Sequence, residues 1–209
     1  MTFVAIVVGG YLLGSCPWGY WLPRLFRGDD VRRSGSGSTG GSNVWRTYGP
    51  TLAIPVILLD ALKGFVPALV GVLAVSHLCG IAAGAAAMLG HARPLYLRFA
   101  KGGKMVATTG GVLVAVCPWV APAVVGIWVV TFVLTRYTSV ASIASALALP
   151  VCAVVFDYPA AVIVFAGLTG AAVIFLHRAN LRRLRAGTES RFRGLRRATR
   201  VESRAERTS

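Results

Sequence analysis

The chain has 209 residues, 56% hydrophobic and 14% charged, with mean hydropathy +0.67 and a formal net charge of +15. Soluble domains carry nearer a quarter charged residues, so the composition excludes an ordinary water-soluble protein and points to one bundle embedded in lipid. Lys63 apart, every Lys and Arg lies within 24–46, within 93–104, at 136 or within 178–207. That is the pattern of cytoplasmic loops attracted to anionic lipid, and it speaks against nucleic-acid binding, which would interleave basic and aromatic residues on one face.

Lipid admits only helices or closed barrels as spanning structures, and the apolar stretches here are continuous rather than alternating, so we expect helices. The first runs over about Thr2–Leu22. Gly9, Gly10, Gly14 and Gly19 give it small faces for close packing, and Pro17 and Pro23 are expected to bend and then end it. No basic n-region or A-x-A site marks it as a removed signal, so it reads as a retained helix. A polar loop, Arg24–Pro50, follows. The second segment, about Thr51–Ser76, carries Asp60 and Lys63 three positions apart on one helix face. Ionisable groups at that depth are either an internal structural pair or functional. A short loop holding His77 leads to a third segment, Cys79–Leu89. A second polar loop, 90–104, leads to a fourth, Val106–Val116. Both segments are short for a crossing of ~30 Å. Trp119–Thr135, Val140–Phe156 and Ala160–Leu176 complete a set of seven.

The expected fold is therefore an all-α integral membrane bundle of seven transmembrane helices, some short or half-spanning. The turns near 77, 117 and 157 lack Lys and Arg, which sets the N-terminus outside and the C-terminus inside. Residues 1–187 form one domain, and 188–209 read as a basic cytoplasmic tail, disordered or lying on anionic lipid. Cys16, Cys79, Cys117 and Cys152 are scattered singly through apolar segments, as small buried hydrophobes are, with no metal-ligand spacing.

Gly35-Ser36-Gly37-Ser38-Thr39-Gly40 satisfies GxGxxG, but no strand precedes it and the acid that follows, Asp60, sits in a membrane segment, so a dinucleotide site is excluded. Gly40 is followed by Gly41 and Lys104 by Met105, so no Walker A loop is present either. His91 is followed at the fifth position by Tyr96 rather than Asp, so the H-x4-D acid/base pair of the commoner acyltransferases is missing. Four phosphate-sized features remain on the basic side. They are the Gly/Ser loop with Asn43 and Arg46, the run Gly102-Gly103-Lys104, Arg136 with Ser139 and Ser142, and His177 with Asn180, which share a helix face.

The stretches GSCPWGYWLPRLF, VRRSGSGSTGGSNVWRTYG, LLDALKG, GHARPLYLRFAKGGKMVAT, RYTSVASI and HRANLRRLRAGTE together cover about residues 10–190. In order and spacing they resemble the acyl-phosphate-dependent glycerol-3-phosphate acyltransferases of bacteria, the PlsY-type family. The resemblance implies a seven-helix inner-membrane enzyme with its site on the cytoplasmic face. It would move a fatty acyl group from acyl-phosphate to glycerol 3-phosphate, giving lysophosphatidic acid and phosphate, the first acylation of phospholipid synthesis. It implies no metal, coenzyme A or acyl carrier protein in the reaction, and functional coupling to an enzyme that forms acyl-phosphate. Carried over by position, Ser36, Arg46, Lys104 and His177 would be catalytic. Ser38, Ser42, Asn43, Gly102, Gly103, Ser139, Ser142 and Asn180 would bind substrate and phosphate. The chain departs from the family pattern in three places: Ser38 stands where Asn is usual, Met105 replaces the last Gly of GGKG, and Ala100 is an extra residue. A thioether at a glycine position is expected to narrow the pocket or alter the backbone.

Acyl-phosphate is already activated, so no protein nucleophile is required, and no Ser/His/Asp order or activated Cys stands out. The expected chemistry is direct attack by the glycerol primary hydroxyl, with Arg46 and Lys104 neutralising the leaving phosphate. The proton goes to a phosphate oxygen or to His177. Two other readings fit the same loops: a small transporter or channel for phosphorylated anions, and an inactive relative that binds lipid.

Overall fold

The computed structural model describes residues 1–192. Among these are ten α-helices: α1 Thr2–Gly14, α2 Trp18–Arg27, α3 Gly41–Tyr48, α4 Pro50–Ala74, α5 His77–Ala92, α6 Val106–Val116, α7 Val120–Thr135, α8 Thr138–Val155, α9 Ala160–Leu176 and α10 Arg178–Arg185. Short 3-10 turns at Val31–Arg33 and Leu95–Leu97 sit within the two long polar loops. Among the described residues the protein is all-helical. Leu58, Leu73, Leu134, Val155, Leu168 and Phe175 are among many large apolar side chains left exposed on the outer surfaces, which suits lipid rather than water.

The first apolar segment is two helices. The chain breaks at Ser15–Pro17 and resumes as α2, because Pro17 has no N–H to continue the ladder. Pro23 does not end this segment as expected. It lies buried inside α2, in its second turn, and the helix runs on to Arg27, where Gly28 at φ 64° stops it with a left-handed cap. The third segment is longer than its apolar run, since Ser76 caps α5 through its hydroxyl and both His77 and His91 are helical. Nearly a third of what reads as the first polar loop, Gly41–Tyr48, is the amphipathic helix α3.

Glycine governs the packing of the first group of helices. α1 lies on α5 with Gly10 against the Ala83 carbonyl and Gly14 against the Ala87 backbone. The long helix α4 runs through the centre and meets α5 at Gly71 and Gly80 and α6 at Gly64 and Gly111. Such small residues bring helix backbones together where lipid supplies no hydrophobic drive. α7, α8 and α9 form a second group, with Gly170 of α9 on Ala146 of α8. Leu113, Val116, Val120, Leu149, Val162 and Phe165 join the two groups in one buried cluster. At the end bearing the polar loops the groups part, and the site occupies that opening.

Thr188–Phe192 does not behave as the expected tail. Glu189 reaches back into the opening, the Phe192 N–H donates to the Arg136 carbonyl (2.8 Å), and the Phe192 ring packs on Trp45 and Phe132. The charge-rich sequence hides this because one carboxylate and one aromatic ring supply the contacts. The remainder of the expected tail, 193–209, lies outside the described residues.

Candidate active site

A cavity of about 470 Å³ opens between the helix groups and touches all four polar stretches. Ser36, Ser38, Ser42, Asn43, Arg46, Lys104, Ser139, Ser142, His177 and Asn180 all line it. Positions up to 144 residues apart (180 − 36) thus share one cup. Gly102 and Gly103 do not line it.

The first wall is the Gly/Ser loop. Gly35 (φ 58°) and Gly37 (φ 66°) take left-handed backbone that turns the loop tightly. Asn43, 1% exposed, holds it. Its amide donates to the carbonyls of Val31, Ser34 and Ser38, and its oxygen accepts from the Ser36 N–H at 2.9 Å. Asn43 therefore spends its polar atoms on the loop and shapes the wall rather than offering a free ligand. The Ser36 hydroxyl is buried and has no hydrogen-bond partner among the described residues. It stands on the cavity wall ready to donate. Gly40, Gly41 and Ser42 begin α3 at the cavity, so its positive dipole end adds to the field of Arg46 one turn on.

The second wall centres on Lys104, whose ammonium donates to Asn180 Oδ1 (2.6 Å). Burial, reinforced by Arg46, Arg183 and Lys101, pushes its pKa down to about 8, against the pull of Glu189. Burial also lowers that of Arg46. Arg46, Lys101, Lys104 and Arg183 outnumber the one nearby carboxylate, Glu189, which gives the cup a positive field suited to an anion. Gly102 and Gly103 lie behind Lys104. Their N–H groups donate to the carbonyls of Ala92 and His91, each at 3.0 Å, and the Gly102 carbonyl accepts from the Ser38 hydroxyl. A Cβ on Gly103 would overlap the His91 ring. These glycines permit close approach, but to a histidine rather than a ligand. Ser38 is the hinge between the two loops, since its Oγ also accepts from the Gly40 N–H.

Met105 follows at φ 67°, a left-handed value that glycine takes freely. Its side chain is 5% exposed, packs in the apolar cluster and is absent from the cavity wall. The expected narrowing therefore does not occur, and the backbone keeps a glycine-like angle with a methionine in place.

The third side comes from α8 to α10. The His177 Nδ1–H donates to the Val173 carbonyl at 2.8 Å, which leaves Nε2 as the acceptor in the neutral ring. Ser142 donates to the Thr138 carbonyl and accepts from the Trp128 indole. Glu189 gathers Ser139 (2.9 Å), Asn180 (2.6 Å) and Arg183 (2.7 Å). Burial would raise its pKa, but these three donors outweigh that and hold it below the ordinary carboxylate range. Glu189 aligns Asn180, whose oxygen in turn receives Lys104. Sequence reasoning gave Glu189 no role, although GTE closes the last matching stretch.

His91 and Asp60 also reach the wall, a placement that the sequence reading did not give them. Asp60 pairs with Lys63 (2.8 Å), Lys63 donates to the Cys16 carbonyl at the α1–α2 break, and His91 Nδ1 lies 3.5 Å from Asp60. The membrane pair is thus a closed network that joins α4 to α5 and to the break. Deeper in, Val106, Gly110, Leu113, Val114, Val124, Val125, Trp128 and Leu149 make the rest of the cavity apolar.

Residues 4–187 match the family model described as Glycerol-3-phosphate acyltransferase. The chain belongs to that family. A glycerol-3-phosphate acyltransferase of Synechococcus sp. (strain JA-3-3Ab) is 44% identical over 92% of this chain and 94% of its own. One of Sinorhizobium fredii (strain NBRC 101917 / NGR234) is 44% identical over 88% and 89%. Among solved structures, PlsY (YgiH), an integral membrane glycerol 3-phosphate acyltransferase, superposes in its glycerol 3-phosphate form with TM-score 0.89 at 39% identity, covering 94% of this chain and 98% of that one. Its lysophosphatidic acid form gives 0.85 at 37%, covering 92% and 96%. This chain is accordingly an integral membrane acyltransferase.

Proposed function

We propose that the protein transfers a fatty acyl group from acyl-phosphate to the primary hydroxyl of glycerol 3-phosphate, at the cytoplasmic face of a bacterial plasma membrane. The observation that carries this is the two-ended cavity. A cationic, hydroxyl-rich cup suits a phosphoester, and it is continuous with an apolar channel that suits an acyl chain. Glycerol 3-phosphate seats its phosphate among Arg46, Lys104, the Ser36 hydroxyl and the start of α3. His177 Nε2 and Asn180 orient its hydroxyls. The acyl-phosphate enters from lipid with its chain in the apolar end and its phosphate toward the same cations.

Attack by the primary hydroxyl on the acyl carbon forms the new ester C–O bond. The bond from that carbon to the bridging oxygen breaks, and the electron pair leaves on phosphate. The hydroxyl proton passes to a phosphate oxygen of the substrate, with His177 Nε2 as the protein acceptor in reach of the same cup. Arg46 and Lys104 offset the charge on the departing phosphate, and holding both substrates in one cavity supplies the proximity. An enzyme that forms acyl-phosphate supplies the donor.

α1 with α2 and then α4 to α9 make seven crossings, N-terminus out and C-terminus in. The continuous apolar helices Pro50–Ala74 and Thr138–Val155 and the pair Thr2–Arg27 are long enough alone. α6 rises only ~16 Å and is completed by the loop before it.

Incubating the purified protein with palmitoyl-phosphate and labelled glycerol 3-phosphate should give labelled lysophosphatidic acid and one phosphate per turnover. Arg46→Ala should lose at least about 100-fold in kcat/KM. A trapped covalent acyl-enzyme, or an Arg46→Ala enzyme with near-normal turnover, would overturn the mechanism. Anion flux in proteoliposomes without acyl transfer would make the protein a transporter instead.

A further inference from the structure

α6 carries two adjacent glycines whose surroundings are opposite. At Gly111 a Cβ would run into the Ala61 carbonyl of α4, so that glycine serves helix packing. At Gly110 a Cβ would meet nothing within 4 Å among the described residues, although Gly110 lines the cavity. The space it faces is therefore cavity. Val106, Gly110 and Val114 are spaced by four and form one stripe on α6, and all three line the cavity. The stripe starts beside Lys104 in the phosphate cup and ends at Val114, which is 51% exposed on the outer surface. Val124, which is buried, and Val125, which is 50% exposed, also line the cavity, so α7 too takes part in the wall that reaches the outer surface. Gly110 lies four residues beyond Val106, the first residue of α6, about 6 Å along the helix axis. It is the point of the stripe where the channel is widened by the absence of a side chain.

We infer that Gly110 is a specificity-determining residue for the acyl chain, keeping the channel open past its midpoint so that long chains run on toward lipid. This rests on the reading that the apolar end takes the acyl group. A butyryl chain anchored at the cup ends short of Gly110, whereas a palmitoyl chain must pass it. A leucine there fills the channel without straining the helix, since Leu is the better helix former and no backbone stands in its way.

The test compares wild type, Gly110→Ala and Gly110→Leu. Gly126→Leu is the control: it makes the same change at another helical glycine with open surroundings that does not line the cavity. Turnover is measured with butyryl- and palmitoyl-phosphate, and binding with lysophosphatidic acids carrying the same two chains. The expected result for Gly110→Leu is at least a tenfold loss of kcat/KM and of binding for palmitoyl, with butyryl within twofold of wild type. Gly110→Ala should fall between, and Gly126→Leu should leave both chains unchanged. Equal losses for both chains, or no loss for palmitoyl, would overturn the inference. A wild-type protein that turns over neither acyl-phosphate would refute the donor assignment alone, and the binding arm would still decide the role of Gly110.

Discussion

The two glycine-bearing loops of the cup look alike as sequence and work by different physics. In the first, Gly35 and Gly37 are needed for their backbone angles, and Asn43 locks the resulting turn with four hydrogen bonds. In the second, Gly102 and Gly103 are needed for their lack of volume, and the left-handed position falls one residue beyond Lys104, on Met105. A glycine motif therefore does not by itself say whether glycine supplies conformation or clearance. The contacts of the missing Cβ decide.

The sharpest test of that contrast is Gly103→Ala against Gly37→Ala. At 103 the methyl overlaps the His91 ring, itself held by Asp60, so either the ring or the Lys104 loop must move. We expect loss of at least about 3 kcal/mol of stability and more than 100-fold in kcat/KM, read by thermal unfolding in detergent and by turnover. At 37 the nearest atom to a Cβ is the Arg32 carbonyl at 3.3 Å, and the main cost is the left-handed backbone, about 1–2 kcal/mol. Equal effects at the two positions would dissolve the distinction.

Asn43 comes next. Asn43→Ala strands three carbonyls and one N–H of the first loop and should cost about 3 kcal/mol. Asn43→Asp keeps an acceptor for Ser36 but turns a carboxylate on the carbonyls of Val31, Ser34 and Ser38, so it should be no better than Ala. An Asp variant as stable as wild type would mean that Asn43 works as a substrate ligand and not as the lock of the loop.

How much of this was legible beforehand follows from the same physics. The apolar runs gave the bounds of α6 and α9 to the residue, because lipid demands continuous hydrophobicity. Confinement of Lys and Arg to four stretches put the site residues on one side. What escaped was local or long-range. α3 is amphipathic and short, so Gly and Ser disguised it as loop. Glu189 acts from a charge-rich stretch whose composition says only that it is polar. Asp60 and Lys63 announced themselves as costly, but their link to His91 crosses from α4 to α5, and a single chain of letters does not pair helices. A Gly-Gly-Lys run is compatible with phosphate binding, and only the folded chain shows that the N–H groups of Gly102 and Gly103 go to the carbonyls of Ala92 and His91 and that Gly103 lies against the His91 ring.

Lys104 gives a smaller but clean effect that belongs to the second loop alone. With its pKa lowered to about 8, the free enzyme loses the ammonium as pH rises through that value. The charged form is the one that receives phosphate, so kcat/KM for glycerol 3-phosphate should be flat from about pH 7, where the substrate phosphate is already dianionic, to about pH 8, and fall up to tenfold per unit above it. Lys104→Arg carries a charge that persists, so whatever its absolute rate, the limb should disappear. A limb that survives in the arginine variant would assign it to another group.

Met105 carries the smallest effect and the most direct reading of the contrast. Its backbone sits where an L-residue is strained by about 1–2 kcal/mol, and its buried side chain returns a comparable amount through apolar contacts. Met105→Ala loses the packing and keeps the strain. Met105→Gly loses the packing and removes the strain, against about 0.5–1 kcal/mol of added chain entropy. The glycine variant should therefore be the more stable of the two by about 0.5–1 kcal/mol, the reverse of the usual order next to a helix, with both below or near wild type. If alanine proves more stable than glycine at 105, the left-handed backbone is not what the second loop requires there. Clearance would then be the only role left for glycine in this half of the cup.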